Sequence, residues 1–195
     1  MAERGKKSCE YMLKGLSYEI LQGDVSTMVG DLVYNTNAVT PGCIFVCIKG
    51  ANFDAHDKVA ESAADGAKAI VVSHDVELPT DQDVTVIRVA DTRYALAFLS
   101  AAYFDHPADQ MKIIGITGTK GKTTTTYLVK SILEHAGYKV GLVGTIEAVI
   151  GDVHIPANNT TPESYVLQSY FRQMADAGCE LVVMEVSSQG LMQHR

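Results

Sequence analysis

The sequence predicts an α/β fold in two parts, a small N-terminal α/β domain over residues 1–110 and, over 111–195, the first part of a parallel-sheet domain built around a phosphate loop. Three observations predict it. Apolar runs of strand length alternate with stretches of helical period along the chain. Pro107 stands between a helical stretch and a new apolar run, which puts a boundary near residue 110. The apolar run at 112–116 breaks into a glycine-rich turn that opens a helix on Lys122 and Thr123.

Taken in order, residues 43–48 read as a strand, 55–66 as a helix, 69–73 and 85–89 as strands and 92–104 as a helix that Pro107 ends. After the boundary come a strand at 112–116, the loop, and a helix over 122–136. Its apolar stripe is Leu128, Val129, Ile132, Leu133 and Ala136, and Gly137 stops it. A strand at 140–143, a hairpin around Gly151 and Asp152, a helix over 162–177 and a strand at 181–186 complete the chain. Strands alternating with helices imply a parallel sheet with right-handed crossovers.

With 195 residues, 47% of them hydrophobic, the chain is long enough to bury a core in one or two domains. The net charge of -7 and the scattered lysines argue against a general nucleic-acid binder, so anionic small molecules must be held locally. No apolar run reaches the roughly 18 residues of a membrane-spanning helix, and residues 1–9 lack the apolar core of a secretory signal. Cys9, Cys43, Cys47 and Cys179 show no zinc-type pairing. They read as reduced thiols of a cytoplasmic protein, with Cys43 and Cys47 as small buried hydrophobes around Ile44, Phe45 and Val46. Nothing in the sequence speaks to oligomeric state.

The turn Gly118, Thr119, Lys120, Gly121, Lys122, Thr123, Thr124 carries the chemistry. Glycines let main-chain N–H groups converge on one anion, and the helix that follows adds its unpaired first-turn donors and the positive end of its dipole. Lys122 reaches the β- and γ-phosphates, while the Thr123 hydroxyl takes one position on a phosphate-bound Mg²⁺. The expected ligand is therefore ATP or another nucleoside triphosphate with its metal. The pattern is a variant, because Ile116 occupies the place of the early glycine in G-x-x-x-x-G-K-[ST]. A dinucleotide-binding turn fits worse, since Gly115, Gly118 and Gly121 have the wrong spacing. Threonines at 123–126 are poor helix formers, and their hydroxyls are expected to serve the ligand.

In parallel sheets ligands sit beyond the carboxyl ends of the strands, so Glu185, late in its apolar strand, is placed beside the loop as a metal ligand. A carboxylate that caps a buried strand or pairs with a lysine reads equally well from position. Likewise, Asn159, Thr160 and Thr161 read either as a polar binding loop or as the cap of a helix starting at Pro162.

The glycine-rich loop together with Asn159, Thr160, Thr161, Pro162 and with Met184, Glu185, Val186, Ser187, Ser188 resembles the Mur ligases, in particular their tripeptide-forming branch. Tyr34, Asn35 and Thr36 before residues 41–46, and Lys49 and Gly50 before Asp54, Ala55 and His56, resemble that branch's uridine-binding domain. The resemblance implies an ATP- and Mg²⁺-dependent amide ligase of peptidoglycan synthesis. Such an enzyme adds a diamino acid to UDP-N-acetylmuramoyl-L-alanyl-D-glutamate through an acyl phosphate. It implies Lys122 as the catalytic cation, residues 118–124 as the ATP loop, and Thr123 and Glu185 as metal ligands. Thr36 would contact the uridine nucleotide, and Asn159, Thr160, Thr161, Ser187, Gln193 and Arg195 would line the muramoyl-dipeptide site. The family departs from this chain at Asn37, Ala55 and Gln189, and its members continue well past residue 195, so a fragment inactive in ligation by itself is expected. Another amide ligase with the same loop, such as a cyanophycin or folylpolyglutamate synthetase, and a non-catalytic nucleotide-binding regulator are the alternatives.

Overall fold

The structure is a computed structural model that describes residues 5–80 and 83–195; residues 1–4, part of the start read above as lacking a signal core, lie outside the described residues. The chain folds as two compact units, Met1–Tyr103 and Phe104–Arg195. The division therefore falls a few residues before position 110. The cause is local: the helix ends at Tyr103, and Asp105 and His106 adopt positive φ (61° and 48°), which turns the chain before Pro107. Pro107 does not end that helix but opens a short 3₁₀ turn, Pro107–Gln110, at a position where its missing N–H costs nothing.

In the first unit the elements are β1 (Lys7–Ser8), α1 (Cys9–Met12), β2 (Tyr18–Gln22), β3 (Met28–Val29), β4 (Asp31–Val33), β5 (Cys43–Val46), α2 (Val59–Ala64), β6 (Ala69–Val72), β7 (Thr85–Val89) and α3 (Thr92–Tyr103). Strands β4, β5, β6 and β7 run parallel in the order β2-β7-β6-β5-β4, and β2 closes one edge antiparallel to β7. β5 and β6 are buried along their whole length, as continuous Val, Ile and Phe runs demand of strands covered on both faces. Phe45, Ile70, Val72 and Val86 pack with Val59 and Ala63 of α2, and Cys43 and Cys47 lie buried among them as the sequence predicts. The predicted helix at 55–66 begins as a 3₁₀ turn, Ala55–Lys58, capped by Asp54.

The second unit contains β8 (Lys112–Ile116), α4 (Lys122–His135), β9 (Val140–Val143), β10 (Glu147–Ile150), β11 (Val153–Pro156), α5 (Ser164–Asp176), β12 (Leu181–Glu185) and α6 (Ser188–Met192). Its sheet has the order β11-β10-β9-β12-β8. β8, β12 and β9 are parallel as predicted, and the predicted hairpin adds β10, antiparallel to both β9 and β11. A connection this short allows no crossover helix between β9 and β10. Met174 and Phe171 of α5 fill one face with Val182 and Met184, and Val129 and Leu133 of α4 pack the other with Val140 and Val183. The apolar stripe of α4 is thus only half used. Leu128 and Ile132 are 59% and 66% exposed and Ala136 is exposed too, because the line of this helix that faces the sheet runs through buried Thr126 and partly buried Val129 and Leu133. No described helix is long and apolar enough to cross a membrane.

Candidate functional site

Strand β8 delivers the chain into the glycine loop, and α4 starts directly after it. Gly118 (φ 146°) and Gly121 (φ 78°) occupy the left-handed region that side chains disfavour, which is why glycine recurs here. Gly121 is the helix N-cap and has no side chain to satisfy the first-turn N–H groups, so these donors remain available to an anion. Residues 117–121 are exposed, which leaves the loop open to a ligand. Lys122 Nζ folds back onto the Gly118 carbonyl at 2.8 Å, holding its charge over the cradle.

At the carboxyl end of β12 the Glu185 carboxylate is 1% exposed. Its partners are neutral oxygen and nitrogen groups: Thr123 Oγ1 donates to Oε2 at 3.1 Å, Thr145 N to Oε1 at 2.9 Å and Thr145 Oγ1 to Oε2 at 3.1 Å. No lysine pairs with it among the described residues, and its bonds to the Thr145 amide and hydroxyl leave the strand-capping reading standing beside the metal one. Gly144 makes room for this carboxylate, since a Cβ there would stand 2.6 Å from Glu185 Oε1. A buried carboxylate with adjacent hydroxyls is an all-oxygen donor set of the kind hard divalent cations take, so the residues present fit Mg²⁺.

The threonine run divides. Thr123 reaches Glu185 and Thr124 and Thr125 are exposed, but Thr126 is fully buried and its hydroxyl donates to the Lys122 carbonyl at 2.7 Å. The expectation that all four hydroxyls serve a ligand fails at Thr126, where the helix consumes the hydroxyl itself.

The loop 157–163 lies against the same end of the sheet. Thr160 Oγ1 meets Thr145 Oγ1 at 3.0 Å. Thr161 is buried, donating to the Glu185 carbonyl at 3.1 Å and accepting from Ser187 N at 3.0 Å. These residues do not cap α5, which begins at Ser164 with Glu163 as an N-cap that makes no side-chain cap bond; the starting point at 162 is corrected accordingly. Asn159 is exposed. Ser187 caps α6 by accepting from Gly190 N at 3.0 Å. Gln193 follows that helix, with Oε1 buried and unpartnered among the described residues. Arg195 Nη1 donates to the Thr161 carbonyl at 3.1 Å, while its Nε lies 2.8 Å from Glu163 Oε1 as a contact of charges rather than an aligned hydrogen bond. Of the predicted residues, Thr160, Thr161, Ser187 and Arg195 are thus linked through Thr145, Glu185 and their own backbone, whereas Asn159 is exposed beside them and Gln193 Oε1 makes no bond to them. Thr145 was missed. A single threonine outside any motif gives no signal by spacing, although its place just past the end of β9, at the ligand-bearing edge of the sheet, is one a topological argument could have picked.

In the first unit Thr36 lines a cleft of about 730 Å³ together with Tyr34, Asn37, Ala51, Asn52 and Phe53. Asn35 shapes its rim by accepting from Asn37 N at 3.0 Å, and Phe53 is half exposed in it, an aromatic face beside the amides of Asn35, Asn37 and Asn52.

Residues 116–195 match the model of the Mur ligase middle domain. That stretch, the greater part of the second unit, is similar to a Mur ligase middle domain. Across both units it is 47% identical over 180 residues to a UDP-N-acetylmuramoyl-L-alanyl-D-glutamate--2,6-diaminopimelate ligase of Clostridium perfringens, covering 92% of this chain and 37% of that protein. A protein of the same name from Geobacillus thermodenitrificans is 46% identical over 164 residues, 84% of this chain and 33% of its own length. The chain thus spans a little over a third of the curated relatives it matches. Among solved structures, one titled as a UDP-N-acetylmuramoyl-L-alanyl-D-glutamate--2,6-diaminopimelate ligase superimposes with a TM-score of 0.76 at 20% identity, over 97% of this chain and 37% of that one. A MurF ligase from Thermotoga maritima in complex with ADP gives 0.51 at 24% identity, over 81% and 32%. These likenesses establish that the fold is that of Mur ligases.

Proposed function

We propose that this chain forms the nucleotide-handling portion of an ATP-dependent ligase that joins 2,6-diaminopimelate to UDP-N-acetylmuramoyl-L-alanyl-D-glutamate. The observation that carries the proposal is the meeting of Thr123, at the head of the glycine-loop helix, with a buried carboxylate, Glu185, whose other partners are the amide and hydroxyl of Thr145. The relatives named above supply the substrates.

In this reading the loop amides and Lys122 grip the ATP phosphates, and Lys122 stabilises charge on the γ-phosphoryl as it passes to the substrate carboxylate. ADP leaves, an acyl phosphate remains, and the incoming amine displaces inorganic phosphate to form the amide. Thr123 and Glu185 would hold Mg²⁺, which supplies charge neutralisation on the phosphates. The loop 157–161, Ser187, Gln193 and Arg195 would hold the dipeptide end of the acceptor. The Thr36 cleft would hold its uridine nucleotide, so that residues 1–110 serve the uridine end of the acceptor and 111–195 serve ATP and the acceptor's dipeptide end.

Calorimetric titration of the chain with magnesium ATP tests the first half, and titration with the UDP-muramoyl dipeptide tests the second. Uptake of both is expected, with Lys122→Ala suppressing the first and Thr36→Ala weakening only the second. Failure of the unsubstituted chain to bind either ligand would overturn the proposal.

A further inference from the structure

Strand β10 opens with Glu147, whose side chain reaches across to α4, where Tyr127 Oη donates to Oε1 at 2.8 Å. The second oxygen faces His154 Nδ1 of β11, also at 2.8 Å. Between β9 and Glu147 the chain makes a tight turn closed by Gly144 N donating to the Glu147 carbonyl at 3.0 Å, and that turn presents Thr145 to Glu185. Tyr127 stands one helical turn beyond Thr123, which reaches the same carboxylate. These contacts close a ring: from Thr123 along α4 to Tyr127, to Glu147, through the turn to Thr145, to Glu185 and back to Thr123.

We infer that Glu147 is a positioning residue for the metal and phosphate site: anchored by Tyr127, it fixes the turn that carries Thr145 and thereby the direction of the Glu185 carboxylate. This rests on the reading that Glu185 and Thr123 hold Mg²⁺. The ladders of β10 with β9 and β11 are complete without the Glu147 side chain, so sheet pairing does not require it. The turn of residues 144–146 is closed by Gly144 N on the Glu147 carbonyl and tied by Ala157 N to the Ile146 carbonyl, and two side-chain anchors add to these, the Tyr127 bond at one end and the Glu185 bonds in the middle. A buried carboxylate cannot be reoriented by water, so its direction follows its donors. Both members of the brace keep the required protonation state. Burial, and then the bond to Glu147, pushes the Tyr127 phenol up to about 12, so it remains a donor. His154 and then Tyr127 hold the Glu147 carboxyl below its usual range, so it remains an ionised acceptor.

The test uses the 195-residue chain with Tyr127→Phe, Glu147→Ala and Glu147→Gln. Hydrogen exchange reads the Thr145 amide directly, with the Val183 amide of β12 as internal control. Calorimetry compares ATP affinity with Mg²⁺ and with a chelator. In Tyr127→Phe and Glu147→Ala, Thr145 exchange should speed up and the Mg²⁺-dependent gain in ATP affinity should fall, each by about tenfold, with Val183 exchange and metal-free affinity unchanged. Glu147→Gln, which keeps an acceptor for Tyr127, should stay close to the unsubstituted chain. Unchanged Thr145 exchange and unchanged Mg²⁺ dependence in both disruptive variants would overturn the inference alone. Absence of nucleotide uptake by the unsubstituted chain would overturn the nucleotide reading and this inference with it.

Discussion

Two carboxylates, one in each unit, are held by opposite kinds of partner. Asp54 in the first unit accepts from His56 N at 3.1 Å, bonds His56 Nδ1 at 2.5 Å and lies 3.6 Å from Lys49 Nζ. Asp54, His56 and His74 are close enough in space to suggest a metal cluster. Yet His56 is 4% exposed and both its nitrogens are committed, because Nε2 accepts from Ser73 N at 2.9 Å and Nδ1 must therefore carry the proton toward Asp54. That carboxylate is consumed in pinning the segment that leads from the Thr36 cleft into α2. Glu185 has no cation among its described partners, which are Thr123 and Thr145, and it stands with Thr123 at the mouth of the phosphate loop. The two acids thus differ both in depth and in the charge of their partners, and it is the second difference that the proposed metal role of Glu185 turns on.

The strongest way to break this contrast is to neutralise Glu185. Glu185→Gln keeps the shape and should reduce Mg²⁺-dependent ATP affinity by more than about 100-fold, beyond the usual cost of losing a ligand's supporting partner. Asp54→Asn in the first unit should leave that affinity unchanged. Calorimetry on the two variants decides it, and equal losses would erase the distinction.

Gly144→Ala tests the fit rather than the charge. The new methyl group would meet Glu185 Oε1 at 2.6 Å and cannot be accommodated without moving the turn or the carboxylate. A destabilisation of about 1–3 kcal/mol is expected, accompanied by weaker Mg²⁺-dependent binding; thermal unfolding and titration read the two effects. A neutral outcome would show that the turn carrying Thr145 is free to shift.

The first unit has its own signature in pH. Burial, the largest influence, holds the His56 imidazole below its ordinary value, although Asp54 pulls the other way. The folded chain therefore binds fewer protons than the unfolded chain as pH falls through about 6.5, so stability contributed by neutral His56 is present above that pH and is lost progressively below it. Exchange at the Ser73 amide, which donates to His56, should accelerate between pH 7 and 5.5. Protection at Thr145 should change less over that window, since the Tyr127 phenol and the Glu147 carboxyl that brace its turn keep their protonation states there. Equal acceleration at both amides would refute the assignment.

Much of the second unit was legible because its signals are strong and local. The bounds of β8 and β9 are those the apolar runs predict, α4 ends one residue before its predicted end, and the hairpin turns at Gly151. Continuous apolar runs also gave β5 and β6, and a mostly apolar one, interrupted by Arg88, gave β7. By contrast, β1, β3 and β4 are two or three residues long, too short for any period to register, and β2 is an edge strand whose Tyr18 and Glu19 face solvent. The candidate loop and metal residues were visible because glycine, lysine and an acid at a strand end each have a physical reason to be there. Thr145, Glu147 and Tyr127 were not, since their roles depend on a turn bringing three elements together, and no spacing along the chain encodes that.

The smallest expected effect concerns the threonine run, where the sequence argument went too far. Thr126→Val removes a hydroxyl that bonds only the Lys122 carbonyl one turn back, on the face of α4 that packs against the sheet. That carbonyl keeps its place in the helical ladder, so the loss should be about 0.5–1.5 kcal/mol of stability. Because Thr126 does not face the loop, magnesium ATP affinity should stay the same. Thr123→Val, three residues earlier, removes a donor to Glu185 and should do the reverse, lowering Mg²⁺-dependent affinity with little change in unfolding. If the two valine variants behaved alike in both measurements, burial would have failed to separate the threonine that builds the helix from the one that serves the site.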